Sequence, residues 1–226
     1  MTDKLSDLRQ TINQLDDDIL ALIRRRMELA ADIIAAKTDS VAYRPGREAE
    51  VVERLIAAAP DLPAQLVTNV WRQLMTASTS LQNGNIRIAV HQGAMAVAGW
   101  HFGAMFPIVG CDDLAAVQGM MGDDGGADFA LVPAGCESGL AAWLLGDETI
   151  HIIAQTPLRG SDMMPPVFML GRHPADEVDD ETSLIAYDSG AGPCLMARQG
   201  RLVAPLADLS GPHRVVGVIA SVARND

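Results

Sequence analysis

Apolar side chains fall at Leu5, Leu8, Ile12, Leu15, Ile19, Leu22, Leu29 and Ile33, and residues 4–37 contain neither Gly nor Pro. This three-four alternation predicts one long helix with an a/d seam that packs against other helices. The seam is interrupted at the position held by Arg26. A guanidinium there either snorkels to water from the rim of a bundle or meets an anion, because an unpaired buried charge costs on the order of several kcal/mol. Lys37 lies about three turns further on the same face, roughly 16 Å along the axis, so the two cations can close on a small dianion between them. Arg9 is roughly 25 Å from Arg26 and rotated about 100° around the helix. It cannot reach the same small ligand, so any role for it in such a pocket belongs to the pocket of a second copy of the chain.

After Lys37 the segment TDSVAYRPGRE breaks the helix through Pro45 and Gly46. A second helix is predicted over about 47–58, with a stripe of Val51, Val52, Leu55 and Ile56. A third is predicted over about 63–82, with Leu66, Val70, Trp71, Leu74 and Met75 on its inner face. Ser78 and Gln82 are spaced i,i+4 and point the same way. Three helices of such unequal length make a poor monomeric core, so the first is expected to pair with a second copy.

From Asn85 the pattern changes. IRIAV at 86–90, DFALVP at 128–133, TIHIIAQ at 149–155, VFMLG at 167–171 and TSLIAY at 182–187 read as strands, and segments near 93–105, 112–121 and 137–145 read as helices. The pattern divides the chain into an all-α domain at 1–84 and an α/β domain at 85–226.

Composition narrows the function. The 226 residues are 49% hydrophobic, enough for one large core or two modest ones. No run of eighteen apolar residues occurs and the N-terminus lacks an apolar signal core, so a cytoplasmic protein is expected. The net charge of −12, concentrated after residue 84, argues against nucleic acid and anionic membranes as partners. Cys111, Cys136 and Cys194 are widely spaced, without a CxxC, and read as reduced packed thiols rather than a disulfide or zinc framework. His91, His101, His151, His173 and His213 lack ligand spacing and read as ordinary surface or core residues. The acidic run 176–181 reads as a solvated loop. Residues 1–84 hold both lysines of the chain, Lys4 and Lys37, but no His and no Cys, so chemistry there must rest on positioning and electrostatics.

LSDLRQTINQLDDDILALIRRRMELAADIIAAK, then YRPGREAEVVERL, then VWRQLMTASTSLQ resemble the all-helical chorismate mutase family over about residues 3–83. The resemblance implies a three-helix domain in an intertwined homodimer that converts chorismate to prephenate without cofactor, metal or covalent intermediate. It implies Arg26 and Arg47 as clamps on substrate carboxylates, with Arg9 supplied by the other protomer. Arginine suits that task because its planar fork binds a carboxylate with two parallel hydrogen bonds. Lys37 and Gln82 are implied as donors to the ether oxygen, Glu48 as acceptor from the substrate hydroxyl, and Ser78 as a lining residue. One departure stands out: the family often carries an Asp where this chain has Arg44.

FPIVGCDDLAAVQGMM followed by GADFALVPAGCESG is similar to the first lobe of prephenate dehydratases. The Thr-Arg-Phe motif of that family corresponds to Pro165-Pro166-Val167, which offers neither hydroxyl nor guanidinium. Ser138 lacks a GxSxG context and reads as a loop residue. The expected role of 85–226 is therefore structural, regulatory or that of a docking surface, without a contribution to the helical pocket. Two other readings stay open: an isochorismate pyruvate lyase on the same helical scaffold, and a non-enzymatic dimerisation module carrying a small-ligand-binding α/β domain.

Overall fold

The computed structural model describes residues 2–36, 43–158, 164–202, 206, 209 and 211–221. Three helices come first: α1 (Thr2–Ala36), α2 (Pro45–Ala58) and α3 (Ala64–Gln82). Pro45 occupies the first turn of α2, where its missing N–H costs nothing. Among the described residues of α1, Ile23, Arg26, Met27 and Ala30 are half-buried, and the rest of the rod is exposed. The apolar seam is bare in the single chain, with Leu8 54% and Leu22 67% exposed.

The inner face of α3 differs from the expected one. Met75 is buried as expected and Trp71 and Leu74 are half-buried, but Leu66 and Val70 are exposed, and Val67, Arg72, Thr76, Ser78 and Thr79 are buried as well. Arg72 and Thr76 meet His101 of the α/β region, whereas Ser78 meets Arg26 of α1.

Among the described residues, the α/β region is built on one eight-stranded sheet. Its strands are β1 (Ile88–His91), β2 (Ile108–Cys111), β3 (Phe129–Pro133), β4 (His151–Thr156), β5 (Val167–Gly171), β6 (Glu181–Asp188), β7 (Pro193–Gln199) and β8 (His213–Ala220), in the spatial order 2-1-3-5-4-8-6-7. Strands β2, β1 and β3 are parallel, and β5 runs antiparallel between β3 and β4. The β6–β7 hairpin joins through β8, which pairs in parallel with β4 at Ile152 and Gly217. A Cβ at Gly217 would stand 2.1 Å from the Ile152 carbonyl oxygen, so only glycine lets the two halves of the sheet meet there.

Alternate strand residues face opposite sides, as the two-residue period requires. Ala89, Ala130, Val132, Ile152, Phe168 and Leu170 face α5 (Leu114–Met121) and α6 (Glu137–Gly146) through Val117, Met121, Leu140 and Leu144. Ile88, Val90, Leu131, Val167 and Met169 face α4 (Met95–Phe102) through Val97, Ala98 and Phe102. Burial on both faces explains why these strands read as continuous apolar runs. Tyr43, just before α2, belongs to the second cluster and stacks edge-on to Phe129 at 5.3 Å.

The acidic run is not simply solvated. Glu181 is buried and takes two hydrogen bonds from Arg201, at 2.6 and 2.8 Å. Asp176 lies 3.8 Å from Arg44 of the helical part, so the departure at that position reaches the α/β region.

Candidate active site

The site grows from the half-buried stretch of α1. Arg26 Nη1 donates to Ser78 Oγ at 2.7 Å and to the Leu74 carbonyl at 3.1 Å. Ser78 Oγ in turn donates to the Leu74 carbonyl at 2.8 Å, the i−4 back-bond typical of a helical serine. Burial lowers the Arg26 pKa and the Glu48 carboxylate opposes it, but an arginine stays charged in either case. The Arg26 guanidinium is thus half out of water, with neutral oxygens and a nearby carboxylate as company, which leaves positive charge for an anionic ligand.

Glu48 stands in the first turn of α2, where the helix dipole favours a carboxylate. It is buried, and its Oε2 accepts from Arg72 Nη1 at 2.5 Å. Burial pushes the Glu48 carboxyl up, and Arg72 and Arg26 draw it back only in part. Arg72 is itself buried and lies against α4, with Nη1 3.4 Å from His101 Nε2. The His101 ring also meets the Tyr43 hydroxyl at 2.8 Å and Thr156 Oγ1 at 2.7 Å. Burial, reinforced by the Arg72 cation, holds His101 well below the ordinary histidine range, so it is neutral at neutral pH. Sequence reasoning missed Arg72 and the role of His101. A usable signal was present in VWRQL, where an arginine sits between apolar residues of a packed helix.

Of the residues expected at the site, Arg26, Ser78 and Glu48 come together. Gln82, one turn beyond Ser78, closes α3 and is partly buried. Arg47 points to solvent, 70% exposed, and pairs with Glu50 at 3.1 Å. Arg9 is on the bare length of α1, about 25 Å from Arg26 at 1.5 Å per residue. Lys37 lies outside the described residues.

A separate cavity of about 180 Å³ opens where the helices meet the sheet, lined in part by Tyr43, Asp128, Phe129 and Arg172. Two of its polar groups are engaged already: Arg172 donates to the Met121 carbonyl at 2.5 Å, and Asp128 accepts from the Arg87 amide at 2.8 Å. Among the described residues no cluster of His, Cys, Asp and Glu has metal-binding geometry, and no helix is long and apolar enough to cross a membrane.

Residues 8–83 match the family model for chorismate mutase type II. The bifunctional chorismate mutase/prephenate dehydratase of Aquifex aeolicus is 26% identical over 113 residues, which is 43% of this chain and 31% of that protein. The protein of the same description from Escherichia coli is 30% identical over 152 residues, 56% of this chain and 38% of that protein. The chain thus spans about a third of the length of these relatives. No solved structure matches it. Arg26, Glu48 and Ser78 all fall within the matched span, and the chain carries a chorismate mutase type II domain at residues 8–83, homologous to that of the bifunctional chorismate mutase/prephenate dehydratases.

Proposed function

We propose that the protein is a chorismate mutase, acting in aromatic amino-acid synthesis, and that its α/β region has no dehydratase activity. The observation that carries this reading is the Arg26 guanidinium, hydrogen-bonded to Ser78 and facing a buried Glu48. In the rearrangement the ether C–O bond breaks as a new C–C bond forms at the other end of the enolpyruvyl arm, and no proton moves. Catalysis then needs a folded-over substrate and donors where charge develops. Arg26 holds a carboxylate and Glu48 accepts from the ring hydroxyl, which fixes the reacting geometry. Gln82 and Lys37 donate to the ether oxygen, an interaction stronger in the transition state than in the ground state. Substrate entry turns Arg47 from Glu50 toward the second carboxylate.

The working unit in this reading is a homodimer. The bare seam of α1, with Leu5, Leu8, Ile12, Leu15 and Ile19 each about half exposed, fits the same seam of a second copy. That pairing brings the partner's Arg9 into the pocket. For the α/β region, Pro166 and Val167 support the absence of dehydratase chemistry: Pro166 caps the approach to β5 by accepting from the Ala134 amide, and Val167 is buried.

The test is product analysis with purified full-length protein. Chorismate should disappear with stoichiometric prephenate. Pyruvate released from isochorismate, with chorismate untouched, would establish the lyase reading, and no turnover of either would leave a dimerisation module.

A further inference from the structure

We propose that His101, on α4 of the α/β region, is a positioning residue for the mutase pocket, holding Glu48 in place through Arg72. The inference rests on the reading of Glu48 as the acceptor for the substrate hydroxyl.

Hydrogen-bond chemistry fixes the state of the ring. Arginine can only donate, so the His101 Nε2 that faces Arg72 Nη1 at 3.4 Å is an acceptor, and its main donor is the Tyr43 hydroxyl at 2.8 Å. The ring proton therefore sits on Nδ1 and is donated to Thr156 Oγ1 at 2.7 Å. The imidazole is anchored at one nitrogen by β4 and at the other by the residue that leads into α2. It presents a lone pair, not a proton, to the arginine, so Arg72 is bounded by a neutral acceptor on one side and by the Glu48 carboxylate on the other.

The place of α4 against α3 is fixed by a row of side chains. Trp100 Nε1 donates to Asn69 Oδ1 at 2.9 Å, Gln73 Nε2 to the Trp100 carbonyl at 3.0 Å, and Thr76 Oγ1 to the His101 carbonyl at 3.2 Å. Residues 69, 73 and 76 form one stripe at helical spacing, and Arg72 lies within it. Ser78 carries the Arg26 contact on the same helix. One helix thus connects the α/β region to the pocket: α4 sets Arg72, Arg72 sets Glu48 Oε2, and Oε1 is the oxygen left for the ligand. The charged and titratable groups around Glu48 are Arg72 on α3, Arg26 on α1, and Tyr43, with His101 behind Arg72.

The experiment uses the full chain with Glu48 intact or changed. His101→Phe keeps a ring of similar size but removes both nitrogens, and His101→Gln keeps an acceptor near the Nε2 position. For chorismate turnover, His101→Phe should lower kcat/KM by between about tenfold and a hundredfold, the scale of a misplaced binding group, and His101→Gln should recover most of that loss. In a Glu48→Gln background His101→Phe should have little further effect, because the group it positions is already gone. A merely structural role would lower both backgrounds alike. Thr156→Val removes one hydroxyl from the ring's anchor and should give a smaller loss of the same kind, so a poorly folding His101→Phe does not decide the matter. Equal, multiplying losses in both backgrounds, or wild-type kinetics in His101→Phe and Thr156→Val, overturn the inference while leaving the mutase reading intact. A wild-type chain inactive on chorismate overturns the mutase reading, and this inference falls with it.

Discussion

Arg72 and Glu48 form an ion pair with both side chains out of water, 3% and 10% exposed, across the joint between α3 and α2. Each charge depends on the other, since desolvation makes an isolated buried ion far more costly than a paired one. Arg72→Met should therefore destabilise the protein by about 3–5 kcal/mol, the range for breaking a buried pair from one side. The double change Arg72→Met with Glu48→Gln should regain part of that loss. Urea midpoints at constant m-value give the comparison.

Arg26→Ala removes the half-buried cation at the centre of the site. The expected result is a fall in kcat/KM of about 10²-fold or more with an unchanged far-ultraviolet circular dichroism spectrum. Near-normal turnover would take the site away from Arg26.

Helix geometry separates Arg9 from Arg26 by about 25 Å on one rod. If Arg9 completes the partner's pocket, Arg9→Ala and Arg26→Ala homodimers should each be nearly inactive. A mixed dimer has one pocket lacking both arginines and one with both, so it should regain up to about half the wild-type activity, as two-fold symmetry requires. Differently tagged chains show whether mixing has occurred, and mixed dimers as inactive as either parent would exclude a shared site.

Stability should fall on mild acidification. Unfolded, His101 takes up a proton near 6.5, whereas folded it stays neutral well below that value because of burial and the Arg72 cation. The contribution is therefore complete above about pH 6.5 and is lost as pH falls below it, at up to about 1.4 kcal/mol per pH unit for one proton. His151 shifts the same way through burial and Arg214. Glu48, raised by burial, has the opposite sign: its contribution is present at low pH and lost as pH rises through its folded value. The difference between wild type and His101→Phe isolates the term, and the variant should show the shallower slope between pH 7.5 and 5. The histidine behind Arg72 should add no inflection to the activity profile at neutral pH, because burial and the Arg72 cation keep it neutral there.

Purified protein given prephenate should form no phenylpyruvate above the slow acid-catalysed background. Pro165 and Pro166 supply neither a hydroxyl nor a guanidinium ahead of β5. Enzyme-dependent phenylpyruvate would mean that other residues of the α/β region carry the dehydration.

The periodic elements were legible from the chain alone. The seam of α1, the stripe of α2 and the apolar runs of β1, β3, β4, β5 and β6 each repeat at the period of their structure. β2 was missed because IVGC is short, contains Gly110 and lies at the sheet edge, where little is buried. β7 is also an edge strand, and β8 is interrupted by Gly217, which reads as a break until its closeness to Ile152 is known. At the site, Arg26 announced itself as a charge in an apolar seam. Arg72 gave only a weak signal, an arginine among apolar residues in VWRQL, because the partner that buries it is α4, a distant segment that the local pattern does not name. Leu66 and Val70 were misplaced for the same reason: local amphipathicity gives a stripe but not which neighbour covers it.

The position of β8 between β4 and β6 also constrains the order of assembly during synthesis. The β6–β7 hairpin is made before β8 yet has no place on the earlier strands until Gly217 reaches Ile152. On the ribosome, α1 to α3 and the sheet from β1 to β5 can collapse early, whereas the hairpin must wait with an unpaired edge for the strand that follows it. Such late, long-range closure is slow and exposes strand edges to association. An alanine at 217 would block that closure, so its first symptom in a cell should be aggregation of newly made chains.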